Sequence, residues 1–274
     1  DSLCAAFGTA GTGGFGIKSD SMAGYSTYLQ VVITIFMILF GINFNAYFLL
    51  ITRKFAQAFK MEEVRYYLGI IAIAVLIITC NIYHMYGSVS ESLQQAAFQV
   101  GSIITTTGYA TTDFNLWPEI SRTILVMLMF VGACAGSTGG GIKVSRILIL
   151  CKTIRKELHI FLHPNAVKKI KMDGKVIPHE VLRSTNIFII VYMLIFAGSI
   201  FLIAFDDFDL ITNFTAVTAT FNNIGPGLEI VGPIGNFGMF SWFSKIVLTF
   251  DMLAGRLEIF PLLLLFVRDT WKKF

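Results

Sequence analysis

Three short turns in this sequence combine residue types that suit the binding of a bare cation. Each turn follows a short, half-apolar segment, at residues 1–11, 90–105 and 207–221, and each precedes a long apolar stretch. A short helix that enters the membrane and ends at such a turn presents carbonyl oxygens at its partially negative C-terminus. A ring of these carbonyls can replace a cation's hydration shell. The residues concerned are Thr12, Gly13 and Gly14; Thr106, Thr107 and Gly108; and Asn223, Ile224 and Gly225.

The glycines are the reason to prefer this interpretation over a purely structural one. Consecutive carbonyls point in one direction only where the backbone adopts positive φ without strain, which glycine allows. The competing interpretation is that these small residues simply ease the packing of neighbouring helices. Three occurrences of the same pattern, each between a short segment and a span, favour the cation site.

A second glycine-rich segment interrupts a long apolar stretch. Its residues are Gly136, Ser137, Thr138, Gly139, Gly140 and Gly141, with Lys143 just beyond, and residues 136–141 are called the glycine loop below. A lipid-facing helix would not tolerate this run, because broken backbone at membrane depth survives only inside protein or beside a watery cavity. The first and last glycines have the spacing of a phosphate-binding loop, but Ile142 stands where that motif needs lysine, so we reject that motif.

Arg256 lies within another apolar stretch, where a charged side chain costs about 2.5–3.5 kcal/mol on insertion scales. We therefore expect it to face a pore, with a carboxylate or the glycine loop as its partner. Glu258 is two residues away and would not share its helix face. A purely structural ion pair is the alternative.

The elements that must position these residues are transmembrane helices. Of the 274 residues, 55% are hydrophobic and only 14% are charged, against about 25% charged in soluble domains. This composition disfavours a disordered chain, a nucleic-acid-binding module and a secreted disulfide scaffold. It predicts an all-α integral membrane protein. A helix needs about 20 apolar residues to cross a bilayer. Stretches of about that length or longer lie at residues 25–51, 66–86, 120–150, 187–205 and 237–267.

The order of these segments predicts an internal repeat of span, short helix, glycine turn and span. We divide the chain into a partial repeat (1–60), a full repeat with the broken helix (61–151), a basic linker (152–186) and a last repeat (187–274). A closed ring needs one more turn, so we expect about 150–200 further residues before Asp1 in the native protein.

Charge predicts the orientation. Four basic residues lie between 53 and 65, ten between 143 and 183 and three in the C-terminal tail, out of 21 in the chain. The positive-inside rule places these segments in the cytoplasm. The turns then open outward, beside acidic residues that would enrich cations, unless these acids are ordinary loop residues: Asp20, Glu91, Asp113, Glu119, Asp206, Asp207, Asp209 and Glu229.

Enzymatic and metal sites are not indicated. The cysteines (Cys4, Cys80, Cys134 and Cys151) form no C-x-x-C pair. His159 and His163 have helical spacing but no cluster of further ligands. An intramembrane protease would need a buried nucleophile and base, and its nearest candidate, His84, lies near a helix end. We predict no enzyme and no cofactor in this chain.

With these motifs in place, the sequence resembles the Trk-type potassium uptake proteins, a family related to the Ktr and plant HKT transporters. The resemblance covers the whole chain and is strongest to the bacterial Trk membrane subunit. Besides the turns, it rests on residues 132–144, on the His163-Pro-Asn-Ala-Val167 motif, on residues 222–227 and on the motif at 255–259. It implies four fused potassium-channel-like units, of which this chain lacks the first and the start of the second.

The resemblance also implies roles for the residues above. The turns would form a selectivity filter that holds dehydrated K⁺ through backbone carbonyls. The glycine loop with Lys143 would be a gate below the filter, and Arg256 would be a positive barrier in the pore. The implied function is K⁺ uptake across the bacterial inner membrane by a multi-pass protein. A Na⁺-translocating or mixed member of the family, or a solute symporter with broken helices, is the alternative.

The resemblance implies partners as well. Members form homodimers of pore chains on a ring of cytosolic nucleotide-binding regulatory subunits of the TrkA or KtrA type. The basic segment at residues 152–175 suits an acidic or nucleotide-binding partner of this kind. Anionic headgroups of the lipid bilayer are the alternative partner for this segment. No nucleic acid is expected.

Overall fold

The computed structural model describes residues 1–18, 20–165, 169–257 and 259–272. Ala166, Val167 and Glu258, which belong to two of the motifs above, lie outside the described residues. The described chain is mostly helical, which confirms the predicted all-α class. Its helices are α1 (Ser2–Ala10), α2 (Thr27–Phe40), α3 (Phe44–Ile51), α4 (Phe55–Lys60), α5 (Glu62–Tyr86), α6 (Val89–Ile104), α7 (Glu119–Val131), α8 (Val144–Leu162), α9 (His179–Ile203), α10 (Leu210–Phe221), α11 (Trp242–Arg256) and α12 (Ile259–Leu264).

Within the described residues, α5 and α9 are each long and apolar enough to cross a membrane. The predicted span at residues 25–51 is instead two helices, α2 and α3, bent by 90°. The predicted span at 120–150 is α7 and α8 with the glycine loop between them, as its sequence indicated. The span predicted at 237–267 is also divided, because α11 ends at Arg256 and α12 begins at Ile259.

The bend between α2 and α3 has a local cause. Asn43 caps α3 by accepting a 2.9 Å hydrogen bond from the backbone N–H of Asn45, so a new helix begins at Phe44, four residues after the end of α2 at Phe40. Gly41 lies at the corner, where an added Cβ would be 2.2 Å from the Tyr67 hydroxyl. A larger residue would not fit here. The periodicity of apolar residues carries no sign of the bend, because both helices are apolar.

The short helices α6 and α10 are the most deeply enclosed elements. The last seven residues of α6, from Phe98 to Ile104, are all buried, and α10 is buried along most of its length. Several of their hydroxyl groups donate to a backbone carbonyl four residues earlier: Thr105 donates to the Gly101 carbonyl at 2.7 Å, and Thr220 donates to the Ala216 carbonyl at 2.8 Å. Such bonds allow polar residues inside an apolar bundle. The short helix α1, by contrast, is largely exposed.

The predicted basic linker at residues 152–186 contains regular secondary structure. The C-terminal part of α8 and the start of α9 lie within it. Between them is an antiparallel hairpin of two short strands, β1 (Lys171–Met172) and β2 (Lys175–Val176), in which Lys171 pairs with Val176. Ile170, just before the hairpin, is buried.

Candidate functional site

The three turns share one backbone geometry. The first residue of each turn has positive φ, 49° at Thr12, 58° at Thr106 and 57° at Asn223. The third residue is a glycine, also with positive φ, at 66°, 84° and 108° in chain order. Left-handed threonine is uncommon and costs about 1–2 kcal/mol. Strained residues of this kind cluster at functional sites.

The amide groups of the turns are bound by the short helices, whereas their carbonyl groups are not used. In each turn the N–H of the middle residue donates to a helix carbonyl five residues earlier, at 2.8 Å for Gly13, 2.9 Å for Thr107 and 2.8 Å for Ile224. Among the described residues, no hydrogen bond has a carbonyl of residues 12–14, 106–108 or 223–225 as its acceptor. Buried carbonyls require a partner. Four of the nine residues, Thr12, Thr106, Thr107 and Ile224, are buried, so a bound cation or water suits their carbonyl groups.

The turns adjoin one another in chain order. A Cβ added to Gly14 would lie 1.8 Å from the carbonyl oxygen of Thr107. In the same way, a Cβ on Gly108 would lie 1.9 Å from the carbonyl oxygen of Ile224. Gly225 has no such neighbour among the described residues. The turns therefore form an arc, and at Gly14 and Gly108 only glycine satisfies both the φ angle and the close approach.

A tyrosine that the sequence analysis did not select connects two of the turns. Tyr109 is almost fully buried, and its hydroxyl donates to the Phe15 carbonyl at 3.0 Å. Its own carbonyl accepts a hydrogen bond from the Ser102 hydroxyl at 2.5 Å. The position directly after the turn glycine was its only signal in the sequence.

The glycine loop lies directly against the three turns. The Thr106 hydroxyl accepts a 2.7 Å hydrogen bond from the N–H of Gly140, and the Thr12 hydroxyl donates to the Thr138 carbonyl at 2.9 Å. A Cβ on Gly140 would lie 2.8 Å from the carbonyl oxygen of Asn222, beside the third turn. The loop thus contacts every part of the arc, and its glycines allow the close approach.

Arg256 holds the same loop from the opposite side. Its Nη1 donates to the Thr138 carbonyl at 3.1 Å, and its Nη2 donates to the Gly11 carbonyl at 3.2 Å. Of the two partners expected for this arginine, the structure shows the loop. One guanidinium therefore bridges the loop and the residue just before the first turn, and the Thr138 carbonyl accepts two hydrogen bonds.

A cavity of about 250 Å³ lies on the side of the loop that faces Arg256. Residues 137–141 form one wall, and Lys143, Arg146 and Arg256 contribute three basic side chains. The Arg146 guanidinium also lies 4.1 Å from the centre of the Phe188 ring. Basic side chains around a cavity raise the electrostatic energy of a cation inside it.

The acidic residues that were predicted to face outward have more varied roles than the sequence suggested. Arg122 forms ion pairs with Glu119 and Glu229, so neither carboxylate is a free attractor of cations. Asp209 caps α10, and hydrogen bonds from Thr212 hold the pKa of its carboxyl below its usual range. Asp20 and Asp113 line a shared cavity of about 340 Å³.

The other candidate groups are separate from this site. The rings of His159 and His163 lie 5.0 Å apart near the end of α8. The part of the chain that the structure describes contains no group of three or more histidine, cysteine or acidic residues placed to hold a metal ion. Cys134 is buried, and the other three cysteines are exposed.

Comparison with known proteins gives a consistent result. The family model TrkH, described as "Cation transport protein", matches residues 1–273. The Trk system potassium uptake protein TrkH of Salmonella typhimurium is 36% identical over the full length of this chain, and TrkG of Escherichia coli is 32% identical. The chain spans only 57% of the length of the first relative and 56% of the length of the second.

A solved structure agrees with these relatives. The crystal structure of the potassium transporter TrkH from Vibrio parahaemolyticus superimposes with a TM-score of 0.86 at 35% sequence identity. The match covers 97% of this chain and 58% of that protein.

Proposed function

The chain belongs to the TrkH family of cation transport proteins, and from this we propose that it is part of a membrane protein for potassium uptake. We propose potassium uptake as the activity of the whole protein; this chain spans 57% of the length of the TrkH relative. We further propose the division into repeats at 1–60, 61–151 and 187–274, with the basic segment 152–186 between the last two.

We propose that the three turns are the selectivity filter, with K⁺ held by the backbone carbonyls of residues 12–14, 106–108 and 223–225. The observation that carries this proposal is the contrast between amides and carbonyls. The short helices accept hydrogen bonds from the backbone N–H groups of eight of these nine residues, all except Gly225, while the nine carbonyls have no hydrogen-bond donor among the described residues. Oxygen atoms in that state replace the hydration shell of a cation. Glycine in all three turns favours K⁺ over Na⁺, which is the alternative ion.

The glycine loop would be the gate, since it touches all three turns and lies between them and the basic cavity. Arg256 would contribute in two ways, by hydrogen bonds that hold the loop and by a positive charge in the ion path. Lys143, directly after the loop, would add to the same barrier. Residues 136–141 and these two basic side chains then form one closed constriction.

Partners and location follow the family. We propose a multi-pass protein of the bacterial inner membrane with the basic segments in the cytoplasm, assembled as a homodimer with a nucleotide-binding regulatory subunit. The relatives' name, a Trk "system", fits more than one component. The hairpin at residues 171–176 presents exposed lysines for such a partner, and anionic lipid headgroups are the competing ligand.

The test is Rb⁺ uptake into liposomes by the native full-length protein, with K⁺, Na⁺ and Cs⁺ as competitors. The informative variant is Gly108→Ser, because the new side chain would meet the Ile224 carbonyl and disturb two adjoining turns. Gly198→Ser is the matched control, since a Cβ there meets nothing within 4 Å. We expect K⁺ to compete best in the wild type and the control, and the preference over Na⁺ to fall in Gly108→Ser. A folded Gly108→Ser protein with unchanged preference would refute the filter assignment.

A further inference from the structure

A buried carboxylate at the start of α5 contacts the chain just before the glycine loop. Glu63 is only 3% exposed. Its Oε1 accepts a 2.6 Å hydrogen bond from the N–H of Ala135, the residue that precedes Gly136. Its Oε2 accepts a 3.2 Å hydrogen bond from the side-chain amide of Asn43. Both carboxylate oxygens therefore have donors.

These two contacts belong to a larger junction between the loop and the α2–α3 bend. The N–H of Cys134 donates to the Gly41 carbonyl at 3.1 Å, and the N–H of Phe44 donates to the Gly136 carbonyl at 3.0 Å. Asn43 lies between them and also caps α3. Glu63 thus joins three elements: the bend, the first turn of α5 and the start of the loop.

Movement of the loop away from Glu63 would cost free energy. A buried carboxylate is tolerated only while hydrogen-bond donors satisfy it. The N-terminal end of α5 also favours a negative charge at this point. When Ala135 moves away, Glu63 loses the shorter of its two hydrogen bonds. The cost of that loss falls on the displaced loop and favours the closed one.

The residue before Glu63, Glu62, connects α8, the helix that follows the loop, to the hairpin at residues 171–176. Glu62 forms an ion pair with Lys152 of α8, the helix that follows the loop. The Lys152 ammonium also donates to the Lys171 carbonyl at 2.8 Å, and the Asp173 carboxylate accepts a 2.7 Å hydrogen bond from the N–H of Glu62. The first turn of α5 therefore contacts the start of the loop, the helix that follows the loop and the hairpin.

We propose that Glu63 is a positioning residue that clasps the start of the glycine loop and holds the loop in its closed conformation. The inference rests on the proposed gate function of the loop. It adds a specific residue to that function, outside the pore, on the side from which a cytosolic partner would act. Opening the loop then requires the Glu63–Ala135 hydrogen bond to break.

The test exchanges donor and acceptor across the Glu63–Asn43 contact in the full-length protein. In Glu63→Gln, an amide N–H₂ faces the Asn43 amide donor, so one hydrogen bond is lost. In Asn43→Asp, two carboxylates face each other. In the double variant the new Gln donates to the new Asp, which still caps α3, and the Gln oxygen still accepts from Ala135. Glu157→Gln, at an exposed pair with Lys156, is the matched control.

Two measurements separate the clasp from the gate: amide hydrogen exchange of residues 132–143, and Rb⁺ flux in liposomes. We expect each single variant to speed loop exchange about tenfold or more, as the loss of a hydrogen bond to a buried charge predicts. Rb⁺ flux should rise in the same two single variants, and more in the one whose loop exchanges faster. The double variant and the control should return to near the wild-type values in both measurements.

The outcomes are distinguishable. Wild-type loop exchange in Glu63→Gln, or a double variant as fast as the single ones, would overturn the clasp. Faster exchange with unchanged flux would uphold the contact but overturn the gate function, and with it the role in gating. A single variant that cannot be purified, beside a double variant with wild-type exchange, would support the pairing.

Discussion

The sharpest prediction concerns Arg256, because its two possible contributions to closure can be separated by choice of side chain. In the structure its guanidinium donates to the Thr138 carbonyl at 3.1 Å and to the Gly11 carbonyl at 3.2 Å. Hydrogen bonds from a charged donor contribute about 1.5–3 kcal/mol each when buried, and this side chain is partly exposed, so the lower end applies. A cation about 4 Å from the charge would also feel about 4 kcal/mol of repulsion at an effective dielectric near 20, less where water screens it.

Arg256→Ala removes both contributions, whereas Arg256→Lys keeps the charge but replaces a planar fork with a single ammonium. We expect cation flux in liposomes to rise about tenfold or more in Arg256→Ala, because one lost hydrogen bond of about 1.4 kcal/mol already shifts an equilibrium tenfold. Arg256→Lys should lie between this variant and the wild type.

The assay is Rb⁺ flux at matched protein incorporation, with Arg155→Ala as a control for removal of an exposed arginine from α8. Preference among K⁺, Na⁺ and Cs⁺ should change little, because the turns are intact. Flux at or below the wild-type value in folded Arg256→Ala protein would refute the barrier. Equal flux in both variants would show that the charge contributes nothing and that only the hydrogen-bond geometry matters.

Three further predictions follow from other contacts. Thr106→Val removes the hydroxyl that accepts from Gly140 and should raise basal flux several-fold in the liposome assay, with Thr106→Ser as a control that keeps the hydroxyl. Deletion of residues 136–141 should raise flux above any single variant and abolish the response to the regulatory subunit; flux at or below wild type would demote the loop to a packing feature. Asp209→Ala should lower the thermal stability of purified protein by about 1 kcal/mol through loss of the cap on α10. Since the pKa of Asp209 is lower in the folded chain, its contribution is present above the unfolded pKa of about 3.9 and is lost as pH falls through the folded value, so the Asp209→Ala difference should shrink below pH of about 4.

The sequence was most informative where glycine marks unusual backbone. The turns at Gly14, Gly108 and Gly225 and the break after Val131 could be located because glycine is disfavoured inside regular helices and strands. The long apolar helices α5 and α9 could be recognised from length and hydropathy alone. Both signals are local, and local signals can be read without knowing which segments meet.

The remaining features depend on contacts between distant segments, and the sequence does not show these. The bend at Gly41 is hidden because apolar residues continue on both sides. Glu63 looks like any acidic residue in the first turn of a helix, and only the position of Ala135 gives it a role. The outer acids looked alike in the sequence, yet Glu229 is paired with Arg122 and Asp209 is a helix cap.

A comparison within the molecule links the three turns to the glycine loop that contacts them. The first residue of each turn must adopt positive φ, which asparagine tolerates better than threonine. Asn223 holds that position in the third turn, and its side chain donates to the Met252 carbonyl rather than to the loop. Thr12 and Thr106 hold it in the other two turns, and both hydroxyls bind the loop. Threonine, which is less suited to positive φ, therefore occurs in the two turns where its hydroxyl forms a hydrogen bond with the loop. These hydrogen bonds offset the strain of left-handed threonine. If the loop opens, both threonines lose these hydrogen bonds, and positive φ at Thr12 and Thr106 becomes less favourable. Movement of the loop should therefore change the backbone of the turns that would bind the ion.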